Sequence, residues 1–373
     1  MGNYLRSWRY RLPCFLQRGK AALGLLEETK EPVSFVIEKE DWAIRRVGEN
    51  ICKEIEKKTA GTISTTTNPE KLLRKVVHFG SQYMWLAWGP YMSDKNEFIT
   101  SFFHGKPEDG PEVALHIKNF LQSESKLSKI IVSTSLVEKR LKEWGVRADK
   151  IARIPIGVDT ALFTLPTPEQ RAKAREKLGF SSDQIVIGSF QKDGVGWKEG
   201  IEPKLIKGPD IFIETVALLS KAIPVAVLLT GPARGYVKKG LGKNQIPYKH
   251  IYLENYVDLL SCYHALDLYL ITSREEGGPM GLMESMSSGV PVVSTPVGMA
   301  PDLIIDGLNG GLAESIQSEM LVNKVFNVLK KVQTGFDMAQ AAKTSVEVCA
   351  WDKVAEDHLR IYSPLVDAVH QKS

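Results

Sequence analysis

The chain has 373 residues, of which 43% are hydrophobic and 25% charged, and its formal net charge is +4 at neutral pH. This ordinary globular composition predicts two buried cores, and the small charge argues against a nucleic-acid-binding protein. No run approaches the roughly 20 apolar residues of a membrane-spanning helix. The four cysteines and seven histidines follow no disulfide or metal-ligand spacing. We therefore expect a cytoplasmic protein with buried thiols and no metal.

The first 32 residues form a basic N-terminal extension. Between positions 5 and 26 no acidic residue occurs, and five cations lie among aromatic and aliphatic side chains: Arg6, Arg9, Arg11, Arg18 and Lys20. This composition is typical of a segment that lies on an anionic membrane surface. Because Pro13 and Gly19 interrupt any long helix, an extension packed on its own domain is an equally good interpretation.

Strands and helices alternate from residue 33 to residue 158. Apolar residues at three- and four-residue spacing predict helices over 44–57 and 113–122, and a Ser/Thr-rich start predicts another over 135–143. Strands are predicted over 35–37, 62–65, 76–79, 98–103, 129–133 and 151–154. Alternation of this kind implies a parallel sheet with ligands at the carboxyl ends of its strands, that is, a Rossmann-like α/β domain.

A second alternating series follows a proline-rich linker and a charged surface helix over 160–183. Its strands are predicted over 185–190, 224–230, 250–253, 266–272 and 290–294, with helices between them. After residue 313 the pattern is helical to the end. We therefore predict a second Rossmann-like domain over 159–350 and a separate terminal helix over 351–373.

The pattern most indicative of function is TSREEGGPMGLMESMSSGVPVVST, over residues 272–295. It places two carboxylates, Glu276 and Glu284, on either side of a glycine-rich turn between a strand and a helix opened by Pro279. The free N–H groups and dipole of that helix favour phosphate, and Gly278 and Gly281 permit close approach of a ligand. Two acceptor-only groups can bracket a ligand rich in hydroxyls, so the segment predicts a sugar-nucleotide site.

This segment resembles the Glu-x7-Glu motif of the retaining glycosyltransferases with the GT-B fold, of the family 4 or group 1 type, including the strand GVPVV at 289–293. Three further segments are similar to that family: RIPIGVD at 153–159, KGPD at 207–210 and GLNGGL at 307–312. The resemblance extends from about residue 98 to the C-terminus and is weaker before it. It implies two Rossmann-like domains that face each other across a cleft, with the terminal helix crossing back onto the first.

The resemblance also implies a reaction and a site. A hexosyl group passes from a nucleoside diphosphate sugar to an acceptor with retention of configuration, and no metal or other cofactor is needed. The catalytic residues are Glu276 on the donor sugar, His104 near the transferred sugar and Lys207 on the diphosphate. The implied donor-binding residues are Gln191, Lys192, Lys207, Arg234, Tyr256, Val257, Glu276, Gly278, Met280, Gly281, Leu282 and Glu284.

Roles within this donor set follow the family pattern. Glu284 binds the ribose, and the main chain near Tyr256 and Val257 holds the base. Since Pro279 has no N–H, phosphate contacts are expected from Met280, Gly281 and Leu282. The second cation beside Lys207 stays open between Lys192 and Arg234.

The first domain is expected to bind the acceptor through Asp41, Trp42, Arg45 and His104. His104 also fits a structural histidine at the end of an apolar strand. The acceptor stays open between a glycan, a lipid-linked molecule and a small molecule, with cell-surface polysaccharide biosynthesis the commonest setting in the family. The base is equally open, although UDP- and GDP-sugars are the donors we favour.

Two other functions remain open when only the sequence is considered. A nucleotide-sugar epimerase uses the same architecture without an acceptor, and fold does not exclude it. A non-catalytic sugar-nucleotide-binding or scaffold subunit is the second, because the glycine pair that commonly follows the family's first strand is missing here.

Overall fold

The computed structural model of the chain describes residues 12–16, 30–40, 43–335 and 337–371. The chain divides into two compact units, Met1–Gly157 with Trp351–Ser373 and Val158–Ala350. Most of the predicted basic extension over 1–32 lies outside the described residues, as do Asp41 and Trp42. Within that extension, residues 12–16 are helical.

The first unit is built on a six-stranded parallel sheet. Its strands are β1 (Val33–Val36), β2 (Ile63–Thr66), β3 (Val76–Phe79), β4 (Glu97–Phe102), β5 (Lys129–Val132) and β6 (Ile151–Arg153), in the order β2-β1-β3-β4-β5-β6. Four helices connect them: α1 (Ala43–Lys58), α2 (Gln82–Trp88), α3 (Pro111–Ser123) and α4 (Ser135–Glu143). Central strands such as β1 and β3 are buried along their whole length because helices cover both faces of a parallel sheet.

The terminal helix of the chain belongs to this first unit. It spans Trp351–Gln371, contains Pro364 and packs against α1, where Lys58 and Glu356 form an ion pair of 2.7 Å. On its buried side the Tyr362 hydroxyl lies 2.7 Å from Nδ1 of His78, and the His358 ring stacks on His78 with centroids 5.7 Å apart. Burial lowers the pKa of His358 to about 4 and that of His78 well below its usual range.

The second unit has a six-stranded parallel sheet of its own. Its strands are β7 (Ile185–Ser189), β8 (Val225–Thr230), β9 (Tyr248–Ile251), β10 (Leu268–Ile271), β11 (Val292–Ser294) and β12 (Gly310–Leu312), in the order β12-β11-β10-β7-β8-β9. Because β7 pairs with β8 on one side and β10 on the other, the strand order reverses beside β7. Ligands of open α/β sheets bind at such a switch point, outside the carboxyl ends of the strands.

Helices cover both faces of this second sheet. They are α5 (Pro168–Leu178), α6 (Pro209–Leu219), α7 (Gly235–Lys243), α8 (Leu259–His264), α9 (Met280–Ser287), α10 (Ala300–Leu303), α11 (Ser318–Gln333) and α12 (Met338–Val346); the terminal helix described above is α13. The core between sheet and helices is aliphatic and includes Val227, Leu229, Leu270 and Val325.

The two parallel sheets confirm the predicted α/β class with two Rossmann-like domains. Strand β12 occupies a stretch that the sequence indicated only as a turn. Among the described residues, no helix is both long and apolar enough to span a bilayer.

Candidate functional site

Lys207 and Glu276 meet at the carboxyl edge of the second sheet. The Lys207 ammonium lies 2.5 Å from Oε1 of Glu276, an oxygen that also accepts the Ser273 hydroxyl at 3.0 Å. The Lys207 side chain is 24% exposed, whereas Glu276 is buried. An accessible cation is therefore held by a buried carboxylate, which is an arrangement that can bind an anionic, hydroxyl-rich ligand.

The glycine that follows Lys207 fixes the position of this loop. Gly208 has a φ of +62°, and a Cβ built on it would lie 1.8 Å from the carbonyl oxygen of Thr272. The Thr272 hydroxyl in turn donates a 2.8 Å hydrogen bond to the Gly208 carbonyl. Only glycine combines this left-handed backbone with so close an approach, so the Lys-Gly pair serves to seat the lysine against the end of β10.

Arg274 ties the same two loops together and was missed by the sequence analysis. Its guanidinium binds Asp210 through two hydrogen bonds of 2.8 and 2.6 Å and also donates to the Leu205 carbonyl at 2.6 Å. The Arg274 amide donates to the Ile206 carbonyl at 2.8 Å. Hydrogen bonding from Arg274 lowers the pKa of Asp210. The contacts position the segment that carries Lys207 beside the one that carries Glu276.

Helix α9 begins at Met280, and Pro279 is its N-cap residue. A Cβ on Gly281 would lie 2.3 Å from the Tyr269 hydroxyl, so only glycine fits beneath this first turn. The Leu282 N–H donates to the Pro279 carbonyl at 2.9 Å, a hydrogen bond that competes with its predicted contact to phosphate. First-turn N–H groups have no partner within the helix, so those of Met280 and Gly281 remain the candidates.

Between Glu276 and this helix the chain bends at Gly277 and continues through Gly278. Gly298, which the sequence analysis did not single out, packs beside that turn with a φ of +55°. A Cβ on it would lie 3.1 Å from the Cβ of Glu276 and 3.0 Å from Cδ of Pro279. The turn therefore depends on a glycine from the next strand-to-helix connection.

Glu284, the second carboxylate of the motif, is held by two tyrosine hydroxyls. Tyr263 donates to Oε2 at 2.8 Å, and Tyr256 donates to Oε1. Glu284 and Tyr263 are buried, whereas Tyr256 is 38% exposed and packs edge-on against Phe163. Burial, followed by the nearby Glu284, raises the pKa of Tyr263 well above its usual range, so its hydroxyl stays a donor.

Arg234 is not a phosphate-binding cation, which corrects that prediction. Its side chain is fully buried and donates to the carbonyls of Ser189, Gln191 and Thr230, and it pairs with Asp193 at 3.0 Å. Burial raises the pKa of Asp193 to about 6, although Arg234 favours its ionised form. The guanidinium thus organises the ends of β7 and β8.

Three lysines gather instead on the Glu276 side of β7. The Lys192 ammonium lies 3.7 Å above the Trp197 ring, and burial together with Lys207 and Lys192 lowers the pKa of Lys204. Sequence analysis missed Lys204, although it lies three residues before Lys207. Gln191 Nε2 donates a hydrogen bond to the Lys207 carbonyl at 3.1 Å, so in this structure its side chain contacts the loop that carries Lys207.

The remaining donor-side residues lie after β9. Tyr256 opens a short 3-10 turn, Tyr256–Asp258, and Val257 within it is exposed. Both residues are therefore at the surface beside Glu284, and their role in holding the base stays a prediction.

His104 lies in the first unit, just after β4, and is half-buried. Its carbonyl accepts a 3.2 Å hydrogen bond from the side chain of Gln82, a buried residue at the start of α2. Arg45, predicted on the acceptor side, binds Glu49 at 2.8 Å and the Lys39 carbonyl at 2.8 Å. Across the described part of the chain, no cluster of three or more His, Cys, Asp or Glu residues could hold a metal ion.

Residues 201–331 match the family model of glycosyl transferases group 1, which is about a third of the chain. The D-inositol 3-phosphate glycosyltransferase of Segniliparus rotundus is 24% identical over 264 residues, which are 68% of this chain and 56% of that protein. The lipopolysaccharide core biosynthesis mannosyltransferase LpsB of Rhizobium meliloti is 27% identical over 159 residues, 40% of this chain and 42% of that protein. The chain thus matches about half the length of these two relatives, 56% of the first and 42% of the second.

Among solved structures, Anabaena Alr3699/HepE in complex with UDP superposes with a TM-score of 0.72 at 17% identity, over 90% of this chain and all of that one. This likeness confirms the GT-B fold class. The family match and the curated relatives support an enzyme of the transferase class, a glycosyltransferase.

Proposed function

We propose that this protein is a retaining glycosyltransferase that moves a hexosyl group from a nucleoside diphosphate sugar to an acceptor. The observation that carries the proposal is the ion pair of Lys207 with Glu276 at the switch point of the second sheet, within the segment that matches group 1 glycosyltransferases. A partly exposed ammonium beside a buried carboxylate suits a ligand that joins a diphosphate to a sugar.

In the proposed reaction the bond between the anomeric carbon and the diphosphate oxygen breaks, and a bond from the acceptor oxygen to that carbon forms on the same face. The acceptor proton passes to the departing diphosphate. Negative charge grows on this leaving group, and the Lys207 ammonium and the first-turn N–H groups of α9 offset it. Glu276 orients the sugar and Glu284 the ribose. No step calls for a metal or other cofactor.

UDP-sugars are the donors to test first, because the structural relative from Anabaena was solved with UDP. The acceptor is assigned to the first unit, near His104. The names of the relatives point to two kinds of acceptor, the small molecule D-inositol 3-phosphate and the lipopolysaccharide core, so small-molecule and glycan or lipid-linked acceptors are all to be tested, with cell-surface polysaccharide biosynthesis as the proposed setting. A cytoplasmic location and membership of glycosyltransferase family 4 complete the proposal.

Donor binding is tested by thermal shift with UDP, GDP and ADP. A ligand at 100 times its dissociation constant stabilises the folded protein by about 2.7 kcal/mol. We expect one nucleotide to raise the melting temperature of the wild type and of Lys324→Ala, and to do little for Lys207→Ala. Lys324 is a matched control, because it also forms ion pairs in the second unit, with Asp306 at 2.7 Å and Glu314 at 2.9 Å. Equal shifts in both variants would remove Lys207 from the site.

Turnover of the matching donor is then measured with Glu276→Gln, a variant that preserves shape and removes charge. Loss of transfer with donor binding retained supports the catalytic assignment, and normal turnover contradicts it. Conversion of the donor to an isomeric sugar nucleotide without acceptor would indicate an epimerase. Nucleotide binding without turnover by the wild type on any acceptor would indicate a binding or scaffold subunit.

A further inference from the structure

The connection between β7 and α6 contains a hairpin over residues 193–204, in which Gly194 and Pro203 form an antiparallel bridge. Its two arms pair through the Val195 N–H, which donates to the Glu202 carbonyl at 2.9 Å, and the Lys204 N–H, which donates to the Asp193 carbonyl at 2.8 Å. At its base Asp193 forms the buried ion pair with Arg234. Because breaking a buried pair is strongly destabilising, the base of this hairpin is firmly anchored.

The far end of the hairpin is fastened as well. The N–H of Gly235 donates to the Glu199 carbonyl at 2.6 Å, and that of Tyr236 donates to the Gly200 carbonyl at 2.9 Å. Gly200 has a φ of +68°, and a Cβ on it would lie 2.4 Å from the carbonyl oxygen of Ala233. Such contacts hold the tip against the start of α7, so the hairpin has a defined shape.

This fastened hairpin nevertheless exposes large apolar side chains. The exposed fractions are 49% for Val195, 62% for Trp197, 63% for Ile201 and 52% for Leu205. Single exposed apolar residues are ordinary, but four within eleven positions form a patch, and such patches mark interaction surfaces.

The same segment is basic. Residues 192–204 contain three lysines, Lys192, Lys198 and Lys204, against two exposed acidic residues, Glu199 and Glu202. The third acidic residue of the segment, Asp193, is buried against Arg234, and Glu199 forms an ion pair with Lys238 at 3.1 Å. The surface thus presents a net positive charge around its apolar tip.

We propose that the hairpin tip docks peripherally on an anionic lipid bilayer, with Trp197 and Ile201 in the interfacial region and the lysines at the headgroups. Trp is enriched at membrane interfaces, and each cation near an anionic surface adds to attraction. Lysine is depleted at protein–protein interfaces, which favours a bilayer over a protein partner. This docking needs neither donor nor acceptor, so it goes beyond the proposed function and is tested apart from it.

The test is co-sedimentation of the full chain with vesicles of phosphatidylcholine alone or with 30% phosphatidylglycerol. We expect binding to the anionic vesicles only, reduced by salt. Trp197→Ser with Ile201→Ser is expected to weaken it more than about tenfold, and Lys198→Gln about fivefold. The matched control is Phe326→Ser with Val332→Ser, which removes two exposed apolar side chains from α11 of the same unit.

Binding that is lost in the hairpin variant and retained in the α11 control supports the proposal. No binding of the wild type to anionic vesicles at low salt overturns it, as does equal binding by both variants. Circular dichroism and melting temperature establish that the variants are folded. If the wild type instead elutes as a dimer that the hairpin variant abolishes, the patch is a protein interface and the bilayer assignment is wrong.

Discussion

Two tyrosine hydroxyls donate to the same carboxylate from very different surroundings, which provides a test of how Glu284 is held. Tyr263→Phe and Tyr256→Phe each delete one oxygen atom and one hydrogen bond to Glu284. Tyr263 is fully buried, so water cannot replace its hydroxyl, whereas Tyr256 is 38% exposed and water can. The two substitutions therefore separate the effect of burial from that of the hydrogen bond itself.

A hydrogen bond to a charged group contributes about 1.5 to 3 kcal/mol, and a buried acceptor that loses its donor bears the full desolvation cost. We expect Tyr263→Phe to lower the free energy of unfolding by about 2 kcal/mol and Tyr256→Phe by less than about 1 kcal/mol. For a unit of this size, about 2 kcal/mol corresponds to a fall of about 4 to 8 °C in melting temperature.

Differential scanning calorimetry of the two variants measures this difference. Tyr252→Phe, at a tyrosine that is 70% exposed, is the control and should melt like the wild type. Equal falls in melting temperature for Tyr263→Phe and Tyr256→Phe would show that burial does not decide the strength of these contacts. A larger fall for Tyr256→Phe would refute the reasoning outright.

Two further predictions concern pH and the Lys-Gly turn. Burial lowers the pKa of His358 to about 4 and that of His78 well below its usual range. Below pH 6.5 the unfolded chain therefore binds more protons than the folded chain. The free energy of unfolding that depends on these histidines is complete above pH 6.5 and is lost as the pH falls towards 4. Protonation of the unfolded His358 alone lowers the free energy of unfolding by about 3 kcal/mol over this range, whereas the raised pKa of Asp193 acts in the opposite direction. We therefore expect urea unfolding to show a larger fall in stability from pH 7 to pH 4.5 in the wild type than in His358→Gln, and an equal pH dependence of the two would contradict the buried pair. Gly208→Ala should destabilise the protein and abolish nucleotide binding, because its Cβ would meet the Thr272 carbonyl; Gly242→Ala, with nothing within 4 Å, should be neutral or slightly stabilising. Retained binding in Gly208→Ala would show that the turn tolerates a side chain.

All the strands of both sheets except β12 could be predicted from the sequence, because each is a local feature. The run 225–229 is apolar throughout, as expected of a strand covered on both faces, and its neighbours repeat the pattern. The Glu-x7-Glu segment and the Lys-Gly pair could be recognised for the same reason, because each motif lies within one short stretch of the chain. Strand β12, with two glycines among its three residues, has too weak a local signal for such a prediction.

What the sequence by itself determined is therefore the α/β class, the alternation of two Rossmann-like series and a set of polar residues at strand ends. Only the tertiary structure decided which of those residues meet, because their partners are distant in the chain: 69 positions separate Lys207 from Glu276, and 64 separate Arg274 from Asp210. Arg234 shows what the sequence does not determine, since an arginine after a strand has the same neighbouring residues whether its side chain is exposed or buried. Its burial against Asp193 and three carbonyls depends on how the loops after β7 and β8 pack, and that packing is a property of the folded sheet rather than of any single segment.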